Sequence, residues 1–266
     1  MTRFLPLALL LLAAPALAQS DDGPRFCPNR PSLGESGCTT EPGHVQLEVS
    51  ALDWTKDETR EQREDTVLVG DFQARFGLTS TAELQVAWTA YGHDRTRDKL
   101  AGGIDRTAGV GDVQIGLRQN LRHPDGKGLS LAVEPSVTLP VGRQPIGAGT
   151  WGAGLVIPVT YDLSDKLNLA LTNDVEAAPD EDGDGRHFLA QETVGLGYDL
   201  TERLTAVAEL QVTQDNDPGG HRTQALAAGS LAWQPTKRVQ LDVLVGAGLN
   251  RDTPDVRVLT GGAVVF

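Results

Sequence analysis

Apolar and polar positions alternate along most of this chain. In residues 68–76, Leu68, Gly70, Phe72, Ala74 and Phe76 fall on one side and Asp71, Gln73 and Arg75 on the other. In 83–90, Leu84, Val86, Trp88 and Ala90 oppose Glu83, Gln85 and Thr89. In 112–121, Val113, Ile115, Leu117 and Leu121 oppose Asp112, Gln114, Arg118 and Asn120. The same holds in 129–139, where Leu131, Val133 and Val137 stand against Ser130, Glu134 and Ser136, and in 239–249, where Leu241, Val243 and Val245 stand against Gln240 and Asp242. A period of two predicts β-strands with one apolar and one polar face. Runs of about ten residues with charges at mid-strand match tilted membrane strands, apolar side to lipid and polar side to a lumen. Soluble sandwiches use shorter strands, and a lipocalin-like barrel keeps its apolar face inside.

The connections alternate in length. Short ones at 79–81, 123–128, 164–165, 201–202 and 235–237 separate longer, charged or Gly-rich ones at 55–65, 92–109, 141–150, 178–186, 215–221 and 250–255. Short periplasmic turns and longer external loops mark outer-membrane barrels. Together they predict an all-β, transmembrane, antiparallel up-and-down barrel over 44–266, of about twelve strands within a range of roughly ten to fourteen. Two strands are less regular: alanines blur 223–234, and Glu192 falls on an apolar face. The last residues place Val256, Val258, Thr260, Val264 and Phe266 on one side. A strand ending on a terminal Phe resembles the signal read by the barrel-assembly machinery, so Phe266 is the candidate assembly signal and that machinery the expected partner.

The N-terminus differs. Arg3, an apolar run from Phe4 to Leu12 and Ala16-Leu17-Ala18 before Gln19 read as a leader (1–18) removed after Ala18. Beyond it, no apolar run approaches the roughly 18 residues of a membrane helix, so strands are the remaining way to cross. Residues 19–43, rich in Pro and Gly, are expected to be irregular and to lie in the lumen or the periplasm, because unpartnered backbone cannot face lipid. The only two cysteines, Cys27 and Cys38, sit there; in an oxidising compartment one local disulfide is the economical reading, with a metal pair as its rival. A net charge of -13 argues against a nucleic-acid partner, which wants a basic patch.

Charge on a lipid face is costly, so the mid-strand charges Asp71, Arg75, Glu83, Asp112, Arg118, Glu134, Asp174, Glu176, Glu209 and Asp242 are expected to face the lumen. There they either line a water-filled path, tilted toward cations or neutral solutes by the excess of acids, or fill a closed interior. Asp180, Asp182 and Asp184 begin like a calcium loop, but Gln191 occupies the position of the bidentate carboxylate, which leaves a solvated acidic loop or weak surface calcium binding. No cofactor is expected. Serines are few, Ser130 and Ser136 lie on a polar strand face, and no histidine stands where it would meet them, which argues against a hydrolase.

The stretch from Arg30 through Cys38 to Glu48, running into Asp53-Trp54-Thr55, resembles the opening of a family of proteobacterial outer-membrane transporters grouped with the MetA pathway of phenol degradation. Residues 109–118 and 135–140 are similar to the same family. The resemblance implies a channel or uptake barrel in the bacterial outer membrane, for small molecules including hydrophobic or aromatic compounds, and carries no catalytic residues. A monomer surrounded by outer-membrane lipid is expected, with a small-molecule solute as partner. The alternatives are a closed structural or interaction barrel and, third, an outer-membrane lipid hydrolase.

Overall fold

The structure, a computed structural model, describes residues 23–266; the expected leader lies outside them. Thirteen strands follow one another: β1 (Val45–Glu58), β2 (Gln62–Gly77), β3 (Ala82–Asp98), β4 (Ile104–Gly109), β5 (Val113–Arg122), β6 (Leu129–Leu139), β7 (Gly152–Asp162), β8 (Leu167–Pro179), β9 (Arg186–Thr201), β10 (Leu204–Asp215), β11 (Arg222–Thr236), β12 (Val239–Gly248) and β13 (Val256–Val265). All pairings are antiparallel, and every strand pairs with its sequence neighbours except β4 and β5, which do not meet. β13 returns to β1, with Gln46 opposite Val265, and closes the ring. β4 pairs only with the outer half of β3, and β3 continues around the ring to β5. The barrel proper therefore has twelve strands, with β4 as an addition above it.

The interior is inside-out relative to a soluble protein. The fully buried large side chains include Arg75, Arg118, Gln46, Glu48 and Glu83, while Leu117, Leu196, Leu210, Trp233, Leu241 and Val245 stay exposed on the outside. In water such a surface would drive aggregation; in lipid it is the solvated face. Closure also leaves the twelve-strand ring without a free edge, the condition for strands in hydrocarbon, and the unpaired edge of β4 lies above the ring.

Three expectations are corrected. Residues 92–109 are not a loop: β3 runs on to Asp98 and β4 pairs with it, Arg95 opposite Arg106. Likewise β1 and β2 reach into 55–65. Above the membrane both faces meet water, so these extensions need no apolar row and their charged residues do not mark a loop. Next, Leu68 leaves the face of Phe72. It pairs with Asp53, which is buried inside, because the ladders are interrupted at Gly70 (φ +65°) and in β1 between Ser50 and Leu52. Such bulges invert the facing of everything beyond them. Finally, Asp112 precedes β5 and lies in the break between β4 and β5. Glu192 does face outward, exposed, opposite Asn173 and Val212.

Candidate functional site: a lumen crossed by the N-terminal segment

Residues 23–44 precede the first strand and enter the barrel, where their backbone polar groups need partners. The wall supplies them by charge. Carboxylates accept the N–H groups: Glu48 from Asn29 (3.2 Å) and Arg30 (2.9 Å), Glu83 from Thr40 (2.6 Å), and Glu209 from Leu33 (3.0 Å) and Gly34 (3.3 Å). The Ser32 hydroxyl also donates to Glu209. Cationic and amide groups donate to the carbonyls: Arg75 to Cys27 (2.6 Å) and Cys38 (2.9 Å), Arg118 to Ser36 (2.9 Å), Asn120 to Gly37 (2.6 Å) and Gln240 to Arg30 (2.6 Å). A disulfide joins Cys27 to Cys38 and closes the segment on itself, Cα atoms 6.1 Å apart. The segment is a plug built from loop backbone and fitted to a charged wall.

The wall charges also pair with one another. Arg75 lies 2.9 Å from Glu83 and 3.2 Å from Glu48, and Arg118 lies 2.7 Å from Glu134, all nearly inaccessible to solvent. Arg118 pairs further with Glu35 of the plug, and Arg30 of the plug reaches Asp242 at 2.8 Å. Of the ten charges singled out in the sequence, Arg75, Glu83, Arg118 and Glu134 thus form one network. Glu209 and Asp242 hold the plug from the far wall. Asp71 accepts a bond from Thr89 (2.8 Å) beside the plug. Asp174 and Glu176 stand two residues apart on β8, outside the network.

Asp112 performs a different task. Its two oxygens accept from Gly142 (2.8 Å) and Gly149 (3.1 Å), which pins the loop 140–151 over the outer mouth. The loop sets Ile146 against Gly92, where an added Cβ would meet Ile146 Cγ2 at 2.5 Å. Gly92→Val is therefore expected to displace the loop and raise single-channel conductance while the barrel still folds, since a β-branched residue suits β3. Asp180, Asp182 and Asp184 do not gather: Asp180 turns to His187 and Asp182 accepts the N–H of Asp184.

Sequence reasoning missed Gln46, Glu48 and Ser50, the inward row of β1, although they alternate as plainly as any other strand. It also missed Arg30 and Glu35, because an irregular segment carries no period from which to read a direction.

The plug does not fill the lumen evenly. Bulky charged side chains crowd β1–β6, whereas the inward positions of β7–β9 include Gly154, Thr160, Ala170, Thr172, Gly195 and Gly197. A cavity of about 520 Å³ opens there toward the short turn at 162–168, between Asn29, Ser32, Gly34 and Glu35 of the plug and Thr160, Lys166, Asn168, Gly195 and Val207 of the wall. A smaller one of about 230 Å³ lies on the other side of the plug, by Asp71 and Gln73.

A closed barrel with an apolar belt, a charged lumen and an internal plug defines an outer-membrane β-barrel of the bacterial envelope. The chain belongs to the family described as "Putative MetA-pathway of phenol degradation", whose model matches residues 28–266. Among solved structures, an outer membrane channel from Pseudomonas putida F1 is similar at 15% identity, with a TM-score of 0.72 over 88% of this chain and 99% of that one. The translocator domain of the autotransporter NalP from Neisseria meningitidis shares the barrel at 12% identity, with a TM-score of 0.52 over 85% of this chain and 90% of that one. The transport unit of the autotransporter AIDA-I from Escherichia coli does so at 8% identity, with a TM-score of 0.52 over 90% and 92%. No curated protein matches the sequence.

Proposed function

We propose that this barrel is an uptake channel for small molecules, and that solutes pass along the β7–β10 wall when the plug tip, which meets Thr172 and Thr193 there, moves aside. The observation that carries this reading is the asymmetry of the lumen: the plug is fastened mainly to β1–β6 and leaves about 520 Å³ against a wall of small side chains. That volume falls in the range of small-molecule sites. The family description, which names phenol degradation, supports small aromatic or other hydrophobic compounds as the substrate class. The channel is read as a monomer without catalytic activity. The Ser130 hydroxyl donates to the His123 carbonyl at 2.8 Å rather than to an imidazole nitrogen.

Planar-bilayer recording of the refolded mature protein tests the proposal. Discrete conducting steps, altered by a small aromatic acid, are the expected result. Silence from folded protein would favour the second reading, a closed structural barrel, which draws its support from the dense bonding of the plug. If the path is open, Asp174 and Glu176 border its outer half, and Asp174→Asn with Glu176→Gln should move the reversal potential in a KCl gradient away from cation preference.

A further inference from the structure

At the outer mouth one imidazole meets three carboxylates. His187, near the start of β9, has a side chain only 6% exposed. Its Nδ1 lies 2.9 Å from Asp180 Oδ1 and 3.5 Å from Asp217 Oδ2, and its Nε2 lies 2.9 Å from Asp215 Oδ1. The Nε2 contact falls outside hydrogen-bond geometry, so this buried nitrogen has no satisfied partner. A neutral imidazole carries one N–H. With carboxylates at both nitrogens, one contact sets lone pair against lone pair unless a second proton or a metal cation sits at that nitrogen.

We propose that His187 Nδ1, Asp180 and Asp217 bind a divalent transition-metal ion, best matched by zinc, and that binding turns the ring so that Nε2–H donates to Asp215, 2.9 Å away. Donors on an ion with bonds of about 2.0–2.2 Å stand roughly 3.0–3.5 Å apart, close to the 2.9 and 3.5 Å found here. An imidazole donor selects against calcium and magnesium, which take oxygen ligands. A carboxylate on the second nitrogen of a metal-bound histidine is the usual outer support. The N–H groups of Glu181 (2.7 Å) and Gly219 (2.6 Å) donate to the Asp217 carboxylate and fix its orientation toward His187. Asp180 opens the β8–β9 loop and Asp217 lies in the β10–β11 loop, so the ion would tie two external loops together at the entrance.

Titration calorimetry of zinc into the refolded full-length protein in detergent, near neutral pH, tests this. One zinc per chain is expected, unaffected by excess calcium. His187→Gln and Asp217→Asn should abolish it, and Asp215→Asn should weaken it about 10–100-fold. Asp182→Asn, on the same loop but outside the donor set, should leave it unchanged. Zinc binding that survives His187→Gln overturns the proposal. So does folded protein that takes no zinc and shows a doubly protonated His187 ring by NMR, which would make the cluster an imidazolium clamp.

A separate observation concerns the outer face of the β1–β4 extension. There Lys56, Asp65, Arg95 and Arg106 form one cross-strand row, and Glu58, Arg63, Arg97 and Ile104 the next. Arg63 faces Arg97 directly and Arg95 faces Arg106, pairings that repel unless an anion lies between them. Asp65 serves Arg63 at 2.7 Å and Arg95 at 3.5 Å, and Arg97 and Arg106 have no carboxylate among the described residues. Arg95 stands thirteen residues beyond Ala82, the start of β3. A tilted span takes about 9–11, so the rows lie at the outer head groups, above the row of Trp54, Val67 and His93 and the row of Val69 and Tyr91. We infer that this face binds the phosphates of lipopolysaccharide, a concentrated cationic patch in a protein of net charge -13.

Lipopolysaccharide added to detergent-solubilised protein should raise the temperature at which the barrel loses its compact gel mobility, and Arg97→Gln with Arg106→Gln should remove that rise. Inorganic phosphate at matched phosphate concentration should not produce it. An equal rise in the double variant, or an equal rise with free phosphate, overturns the assignment to the lipid.

Discussion

Replacing Arg75 with alanine is expected to lower the stability of the folded barrel by about 3–5 kcal/mol, the cost of leaving buried charge unpaired. The guanidinium is inaccessible to solvent and pairs with both Glu48 and Glu83. It also donates to the carbonyls of Cys27 and Cys38 at either end of the disulfide loop. Its removal strands two carboxylates and two plug carbonyls at once. Partial compensation exists: Glu48 still accepts from Asn29, Arg30 and Gln46, and Glu83 from Thr40 and Gln85. Those bonds place the expected loss toward the lower end of the range. Arg75→Lys should recover only a small part, because an ammonium has no planar fork to reach two acids and two carbonyls together. Urea titration of the refolded protein, followed by tryptophan fluorescence, measures the difference. Arg122→Ala, at an exposed position on β5, should stay within about 0.5 kcal/mol of the parent. An Arg75→Ala protein as stable as Arg122→Ala would mean that the network is not a source of stability.

The barrel was legible in the sequence because lipid enforces the pattern. Between a polar interior and hydrocarbon, each strand must alternate, as in the row Val239, Leu241, Val243 and Val245. The extension of β3 and β4 was not legible for the same reason in reverse. Above the membrane neither face is apolar, and Arg95, Thr96 and Arg97 look like a loop. Leu68 shows a second limit. Period two fixes which residues share a face only between bulges, and the positive φ at Gly70 is a backbone fact that the letter Gly permits without announcing. The inward charges could be found one strand at a time, since charge is costly on the lipid side, where Glu192 is an exception. Which of them meet could not: Arg75 and Arg118 converge on the same plug through strand order, and Glu209 reaches Leu33 across the lumen from 176 residues away. Asp112 was misread because the strand it seemed to begin is broken there, and its carboxylate holds a loop instead.

Freeing the plug tip from the far wall is expected to open the lumen, and Glu209→Ala combined with Asp242→Ala is the way to do so. Glu209 receives the Ser32 hydroxyl and the N–H groups of Leu33 and Gly34, and Asp242 receives Arg30. Bonds to charged acceptors are worth about 1.5–3 kcal/mol each. Much of this is returned when water reaches the freed groups, so a net loss of roughly 3 kcal/mol for the two anchors is the working estimate, about two powers of ten in the detached population. The base of the plug stays in place, because Arg75 and Arg118 still hold Cys27, Ser36 and Cys38. The disulfide then limits how far the tip between residues 27 and 38 can travel. Single-channel conductance should therefore rise severalfold in the double variant. It should rise again when Cys27→Ser and Cys38→Ser are added, and approach the value of a barrel lacking residues 23–40. Loss of two carboxylates also weakens cation preference, so conductance and reversal potential are recorded together to separate a wider path from a less charged one. If removing 23–40 opens the barrel and the double variant does not, the tip is held by its base alone. If neither conducts more than the parent, the constriction lies elsewhere, and the loop 140–151 pinned by Asp112 is the remaining barrier on the path.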